Sequence, residues 1–412
     1  MSHTHRHRSA RRAVLTMLVT ALVATTPVSA APPPAAANAA VITTWNAVAV
    51  STIPANPAAF LNYAFVHLAM YNAVVGITGA YEQYQWSAPA PHNASPEAAA
   101  AAAAHRVLVT YFPSAQATLD AQLAASLALI PDGGPQDKGI GYGLRAANRI
   151  LALRANDGRF APVTVPTADA AGEYSGPFAV PWLGGVKPLV LNSLQQFDAG
   201  SPPAIGTALY RAELEEVRTL GASDSTVRTE PQTLTARYFA DVPFGPMEAA
   251  LRDLAGRRGL DISDSARLFA ATNTAIADAL GTVWNDKLGT MWWRPISAIR
   301  ETFDDGDPLT VADPSWTPLI NTPPYPEWPS GLCAVISALT ASLVELTGSV
   351  DLNLVSPSQG LRHWDSKAVL DQIAVDARIW SGIHFRTADA VSIAIGNNTA
   401  NWTFDHYFAP TD

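Results

Sequence analysis

A lysine, two arginines, a serine–glycine pair and a histidine lie along the second half of the chain at spacings that could gather them around one anion. Lys287 and Arg294 stand seven residues apart in KLGTMWWRP. On a helix that is about two turns, so both side chains would leave the same face. Two cations so placed, with no acid between them, repel each other unless an anion lies between them. The plain alternative is a pair of solvated surface charges. PSGLCAVISALTASLVELTG reads as an apolar helix whose start carries Ser330 and Gly331. The unpaired first-turn amides and the serine hydroxyl would cradle an oxyanion, and Gly331 would let it approach the backbone closely. Alternatively, Ser330 is only an N-cap. In DARIWSGIHFR, Arg378 and His384 are six residues apart and would not align on one continuous helix. Gly382 can end that helix, which would let both converge; a lone histidine in apolar surroundings is otherwise a hydrogen-bonded core residue. Together these groups suit a tetrahedral or trigonal-bipyramidal oxyanion, with guanidinium forks on its oxygens and one ring nitrogen as ligand or nucleophile.

Other chemistries are poorly served. The chain has no HExxH, GxxxxGK[ST] or GxSxG. GIGYGL at 139–144 spaces its glycines unlike a dinucleotide fingerprint and follows no strand, so it is structural. A single cysteine, Cys333, excludes an intrachain disulfide and any cysteine-based zinc site.

The elements that must position these groups are helical. NPAAFLNYAFVHLAMYNAVVGI (56–77) places Phe60, Ala64, Leu68 and Tyr71 at helical spacing. Ser95, Pro96 and Glu97 form a helix start, and further helical stretches follow between Pro, Gly and Asp punctuation. Helices are expected at about 229–241, 246–257, 263–301 and 387–408, with two more starting near Pro329 and Ser366. The stretch 158–202, rich in Pro, Gly and Val, reads as a long surface excursion. Strand patterns are scarce. The expected fold class is all-α, built of packed helix bundles.

The N-terminus has the pattern of an export signal. A basic start, the apolar run AVLTMLVTALVATTPV and VSA before Ala31 suggest cleavage after residue 30. Arg11-Arg12 is compatible with either general or twin-arginine export. The expected organisation is a signal peptide (1–30), a Pro/Ala-rich leader (31–44), an N-terminal helical region (45–200) and a C-terminal helical region carrying the anion site (201–412). Loss of residues 1–30 removes four arginines and no acid, taking the formal charge from −9 to −13. So acidic a protein is a poor partner for nucleic acid or an anionic membrane, and it must bind an anion through local positive charge.

The three motifs K-x6-R-P, P-S-G and R-x5-H resemble those of the vanadium-dependent haloperoxidases and the wider type 2 phosphatidic acid phosphatase superfamily, whose second motif reads P-S-G-H. RTEPQTLTARYFAD, WWRPISAIRE, DPSWTPLINTPPYPEWPSG, RIWSGIHFR and HLAMYNAVVGI resemble the secreted bacterial haloperoxidase branch, so the likeness extends over about residues 45 to 408. The resemblance implies vanadate as cofactor, held by Lys287, Arg294, Ser330, Gly331 and Arg378, with His384 as the axial ligand to the metal. It implies hydrogen peroxide, a halide and a small organic acceptor as partners, and is compatible with a homodimer. Trp284 and Tyr325 would line the halide pocket, with core packing as the alternative.

One position departs from the family. Where the resemblance calls for an acid–base histidine, this chain has Leu332, and His363 is too remote in sequence to be assigned that role. Cys333, beside it in the first turn, would have a depressed pKa if it faced the cations and an inert thiol if it faced the core. The expected activity is haloperoxidase-like, with bromide or iodide favoured over chloride. The alternatives are a phosphatase of the same superfamily, or a vanadium-independent or catalytically impaired oxyanion-binding member.

Overall fold

The computed structural model describes residues 38–411. The expected signal peptide and most of the expected leader lie outside the described residues. The described residues form one compact unit, within which the expected boundary near residue 200 falls.

Among the described residues the helices are α1 (Ala40–Thr52), α2 (Ala59–Thr78), α3 (Pro96–Tyr111), α4 (Gln116–Leu127), α5 (Gly134–Leu153), α6 (Ala208–Gly221), α7 (Glu230–Asp241) and α8 (Gly245–Arg258). They continue with α9 (Ile262–Thr290), α10 (Pro295–Ile299), α11 (Gly331–Thr347), α12 (Lys367–Ser381) and α13 (Arg386–His406). A single antiparallel hairpin, β1 (Leu352–Ser356) and β2 (Gly360–Trp364), precedes α12. The all-α expectation holds. Helix α1 takes in residues 40–44, which the sequence had suggested as leader, because Ile42, Trp45 and Ala49 recur at helical spacing and are buried.

Helices α2 and α9 form the centre. Nearly every residue of α2 is buried, which explains why it is apolar all round rather than on one stripe. It is long and apolar enough to cross a membrane, yet it is packed inside this fold. At the crossing of α3 and α5, a Cβ on Gly139 would lie 2.4 Å from the Ser95 carbonyl oxygen and one on Gly143 would lie 2.1 Å from that of Ala99. Those two glycines, one turn apart, let α5 press onto the alanine-rich face of α3. This is the structural role expected of GIGYGL.

Two sequence expectations need correction. The stretch 263–301 is not one helix: α9 stops at Thr290, Met291 takes the left-handed conformation with φ 44°, and the short α10 follows. Segment 158–202 has no α-helix, but it is not a surface excursion throughout. Leu183, Val186, Leu189 and Val190 are buried in the main core. Buried Asp278 of α9 anchors it, accepting backbone N–H bonds from Leu189 at 2.7 Å, Val190 at 2.8 Å and Leu191 at 3.0 Å. Burial pushes the Asp278 carboxyl up and the three amides offset part of that rise. Asp278→Ala would leave three buried donors unpaired, each costing about 1–3 kcal/mol. The expected loss is at least about 3 kcal/mol in urea unfolding, and a loss below about 1 kcal/mol would contradict this anchoring role.

Candidate oxyanion site

The site forms where the end of α9, the start of α11 and the end of α12 meet. The positive φ at Met291 turns the chain out of α9, so Lys287 and Arg294 do not share a helix face as their spacing suggests. Lys287 stays in the last turn of α9, while Arg294 is the extended residue just before α10. Both are buried, at 0% and 1% exposure, which rules out solvated surface cations. Gly382, with φ 77°, ends α12 and lets the chain reverse so that His384 faces Arg294. That convergence is the one the sequence allowed.

Lys287 Nζ donates to the carbonyls of Pro326 at 2.6 Å, Glu327 at 2.9 Å and Pro329 at 2.5 Å. Burial and the charge of Arg294 push its pKa well below the ordinary lysine range. Three carbonyl acceptors around one nitrogen nevertheless require three protons, and on that geometric ground we describe it as ammonium. Its hydrogen bonds are spent on the PEWP turn, so Lys287 acts on the site through its charge. The Tyr325 ring lies between the two cations, 5.2 Å from Lys287 Nζ and 5.0 Å from Arg294 Cζ.

Arg294 donates Nε to Tyr325 O at 2.9 Å and Nη1 to Ile383 O at 2.8 Å, with His384 Nε2 3.1 Å from Nη1. His384 Nδ1 lies 2.8 Å from Glu327 Oε1, which also accepts the Phe385 N–H at 3.0 Å. A guanidinium can only donate, so Nε2 accepts and Nδ1 carries the proton. Burial, then the charges of Arg294, Lys287 and Arg378, push the His384 pKa well below its usual value, leaving a neutral imidazole.

Three buried donors here lack a well-aligned partner: Arg294 Nη2, Arg378 Nε and Ser330 Oγ, the last lying beside the Asp389 carboxyl. Ser330 precedes α11 but its hydroxyl makes no capping bond, so simple N-capping is not its role. Its backbone N–H is instead taken by Ser392 Oγ at 2.8 Å. Unpaired buried donors are costly unless something accepts from them, and three together at a helix start, beside a neutral imidazole, fit an oxyanion.

Residues 267–412 match the VCPO second helical-bundle domain. This C-terminal bundle is therefore similar to that domain over about the last third of the chain. A vanadium chloroperoxidase of Curvularia inaequalis is 40% identical over 79 residues, which is 17% of this chain and only 12% of that protein's length. A bacterial vanadium-dependent iodoperoxidase shares the fold with a TM-score of 0.75 at 22% identity, over 90% of this chain and 96% of its own. A holo-type bacterial vanadium-dependent chloroperoxidase gives 0.70 at 15% identity, over 85% and 91% of the two chains.

Within this haloperoxidase fold a cavity of about 330 Å³ opens beside the three donors, lined in part by Trp284, Tyr325, Gly331, Leu332 and Arg378. Trp284 and Tyr325 both face it, with ring centroids 4.9 Å apart, and both also pack against the core. A Cβ on Gly331 would meet the Trp284 ring at 3.2 Å, so its glycine keeps the start of α11 close under the indole. Leu332 is half-buried in the cavity wall. His363 supplies no replacement, since it is exposed on β2 and bonded to Asn353 Oδ1 at 3.0 Å. Cys333 points into the core, fully buried, its thiol 3.4 Å from Asp389 Oδ1. Burial, reinforced by Asp389, pushes that thiol well up, so the depressed pKa considered for a first-turn cysteine does not arise.

Sequence reasoning missed Glu327 and Asp389, both fully buried. Burial pushes Glu327 up to about 7 and Asp389 well above the carboxylate range. An acid set among the prolines of PPYPEWPSG was an available signal for Glu327. Asp389, five residues after His384, had none that distinguished it from a surface acid near a helix start.

Proposed function

We propose that the chain is a vanadate-dependent haloperoxidase-like enzyme, exported by its N-terminal segment, that oxidises bromide or iodide with hydrogen peroxide and so halogenates an organic acceptor. The observation that carries this reading is the group of unpartnered buried donors on Arg294, Arg378 and Ser330, with Arg294 held against His384. The residues fit vanadate: Arg294, Arg378 and Ser330 would hold its oxygens, with the amides that open α11 beside them. His384 would bind the metal through Nε2, replacing the bond that nitrogen now makes with Arg294. Bound there, vanadate would supply Lewis acidity that activates peroxide toward halide.

The remaining roles belong to the chain. Glu327 fixes the His384 ring by holding Nδ1–H, which turns the Nε2 lone pair toward the anion. Lys287 adds positive charge in a site screened from water, where it acts more strongly than at a surface. Trp284 and Tyr325 offer ring edges and an apolar wall to the halide. Iodide and bromide give up electrons more readily than chloride, so they tolerate a site without an acid–base histidine. A phosphatase must protonate a departing oxygen, and the cavity wall carries neither an imidazole nor a carboxyl to do so. The presence of Leu332 at the acid–base position also favours a second reading, oxyanion binding without turnover.

Calorimetric titration of vanadate, followed by bromination of a phenolic dye with peroxide and bromide, tests the proposal. Saturable vanadate heat and bromination that disappears without vanadate are expected. Binding without bromination would select the second reading, and no binding would overturn both.

A further inference from the structure

The short α10 runs into a second group of charged residues, which the anion site does not use. Glu301 follows that helix, and Asp304 and Asp305 lie in the next loop, with one carboxylate oxygen of each within 4.8 Å of those of the other two. Asp307, in the same loop, is already neutralised. Arg211 of α6 holds it, with Nε 2.5 Å from Oδ2 and Nη2 3.0 Å from Oδ1. Among the described residues no cationic side chain pairs with Glu301, Asp304 or Asp305. Asp304 Oδ1 accepts the Gly306 N–H at 2.8 Å and Asp305 Oδ1 accepts the Asp307 N–H at 2.9 Å, so the backbone fixes the direction of both carboxylates. Negative charge gathered this way repels itself unless a counter-ion lies within it.

Tyr210 of α6 points to a ligand independently. It is 2% exposed, and its hydroxyl has no hydrogen-bond partner. The charged groups facing that hydroxyl are Asp305 first, then Asp307 and Glu301. Burial, then the charge of Asp305, raises its pKa, so it keeps its proton and needs an acceptor. We propose that Glu301, Asp304 and Asp305 bind a calcium ion, with a water of its shell accepting from the Tyr210 hydroxyl. Calcium takes about 6–8 oxygen ligands in flexible geometry, which three carboxylates and water supply. Magnesium demands a stricter octahedron and gives up its waters reluctantly, so an irregular loop suits it less. The ion closes the segment after α10 onto α6. The Tyr210 ring also packs on Phe385, next to His384, and on Trp292, two residues before Arg294, at 5.9 and 6.4 Å between centroids. The calcium loop therefore braces the chain behind the anion site without touching the anion. This inference needs neither vanadate nor turnover and stands apart from the proposed function.

Calorimetric titration of calcium chloride into the full chain, first stripped of divalent ions with a chelator, tests the site. Saturable heat is expected, with a Kd of about 10⁻⁴–10⁻³ M for ligands that are partly exposed. Combining Glu301→Gln with Asp304→Asn should weaken binding about tenfold or more. The asparagine keeps an oxygen for the Gly306 N–H, so the loop need not unfold. Thermal unfolding without calcium checks this, and added calcium should raise the unfolding temperature of the unmodified protein but not of the double variant. Tyr210→Phe should weaken binding about two- to tenfold, the worth of one hydrogen bond. Asp132→Asn, at an exposed acid before α5, should change nothing. No saturable heat, equal affinity in the unmodified protein and the double variant, or an equal loss in Asp132→Asn would overturn the proposal. Magnesium binding as tightly as calcium would overturn the choice of ion, and unchanged affinity in Tyr210→Phe would remove the hydroxyl from the site.

Discussion

Glu327→Ala is expected to lower vanadate affinity by about 10- to 100-fold, the usual consequence of losing the group that orients a metal-ligating histidine. Glu327 Oε1 accepts from both His384 Nδ1 and the Phe385 N–H. Without it, two buried donors lose their partner, at about 1–3 kcal/mol each, and the imidazole can turn its Nε2 away from the site. Lys287 and Arg294 also lose the nearest buried carboxyl that offsets their charge. Glu327→Gln separates these effects. Its amide oxygen can accept both hydrogen bonds, so stability and vanadate affinity should return to within a few-fold of the unmodified protein. Thermal unfolding and calorimetry read the two quantities independently, and nitrogen NMR of His384 reports its tautomer. Unmodified vanadate affinity in Glu327→Ala would show that the histidine is oriented by something else.

The second large effect is expected from Leu332→His. General acid–base help contributes about 10²- to 10⁴-fold to proton-transfer steps, and the cavity wall contains no group able to give it. Leu332 is half-buried beside Gly331 and faces the cavity, so an imidazole of similar bulk can stand there without opening the core. Vanadate-dependent bromide oxidation in Leu332→His should therefore exceed that of the unmodified protein by about 10²-fold. A variant that still binds vanadate yet shows no rise in turnover would mean that proton transfer is not what limits this site.

Much of this protein was legible because its signals are local. Ser95 and Ser366 accept the first-turn amides expected of N-caps, and Thr229 with Gln232 forms a capping box. Gly382 ends α12 where a helix had to stop if Arg378 and His384 were to meet. Such features depend on a few neighbouring residues, and so did the identity and order of Lys287, Arg294, Ser330, Gly331, Arg378 and His384.

What local pattern could not supply was which faces become interior. Helical spacing put Lys287 and Arg294 on one face, whereas a left-handed residue between them sends the chain elsewhere and packing brings the two charges together again. The sequence also left Ser330 between cap and cradle. Its hydroxyl makes no capping bond, and its backbone N–H is held by Ser392 of α13, 62 positions away. Glu327 could be read as an exposed acid in a proline-rich turn until the chain reversal after α12 placed His384, 57 positions on, against it. The sequence by itself determined the all-helical class and named the candidate anion-binding groups, because caps, breaks and residue types are written locally. The tertiary structure alone decided their burial, the free donors and the apolar cavity beside them, since these depend on contacts between segments far apart in the chain.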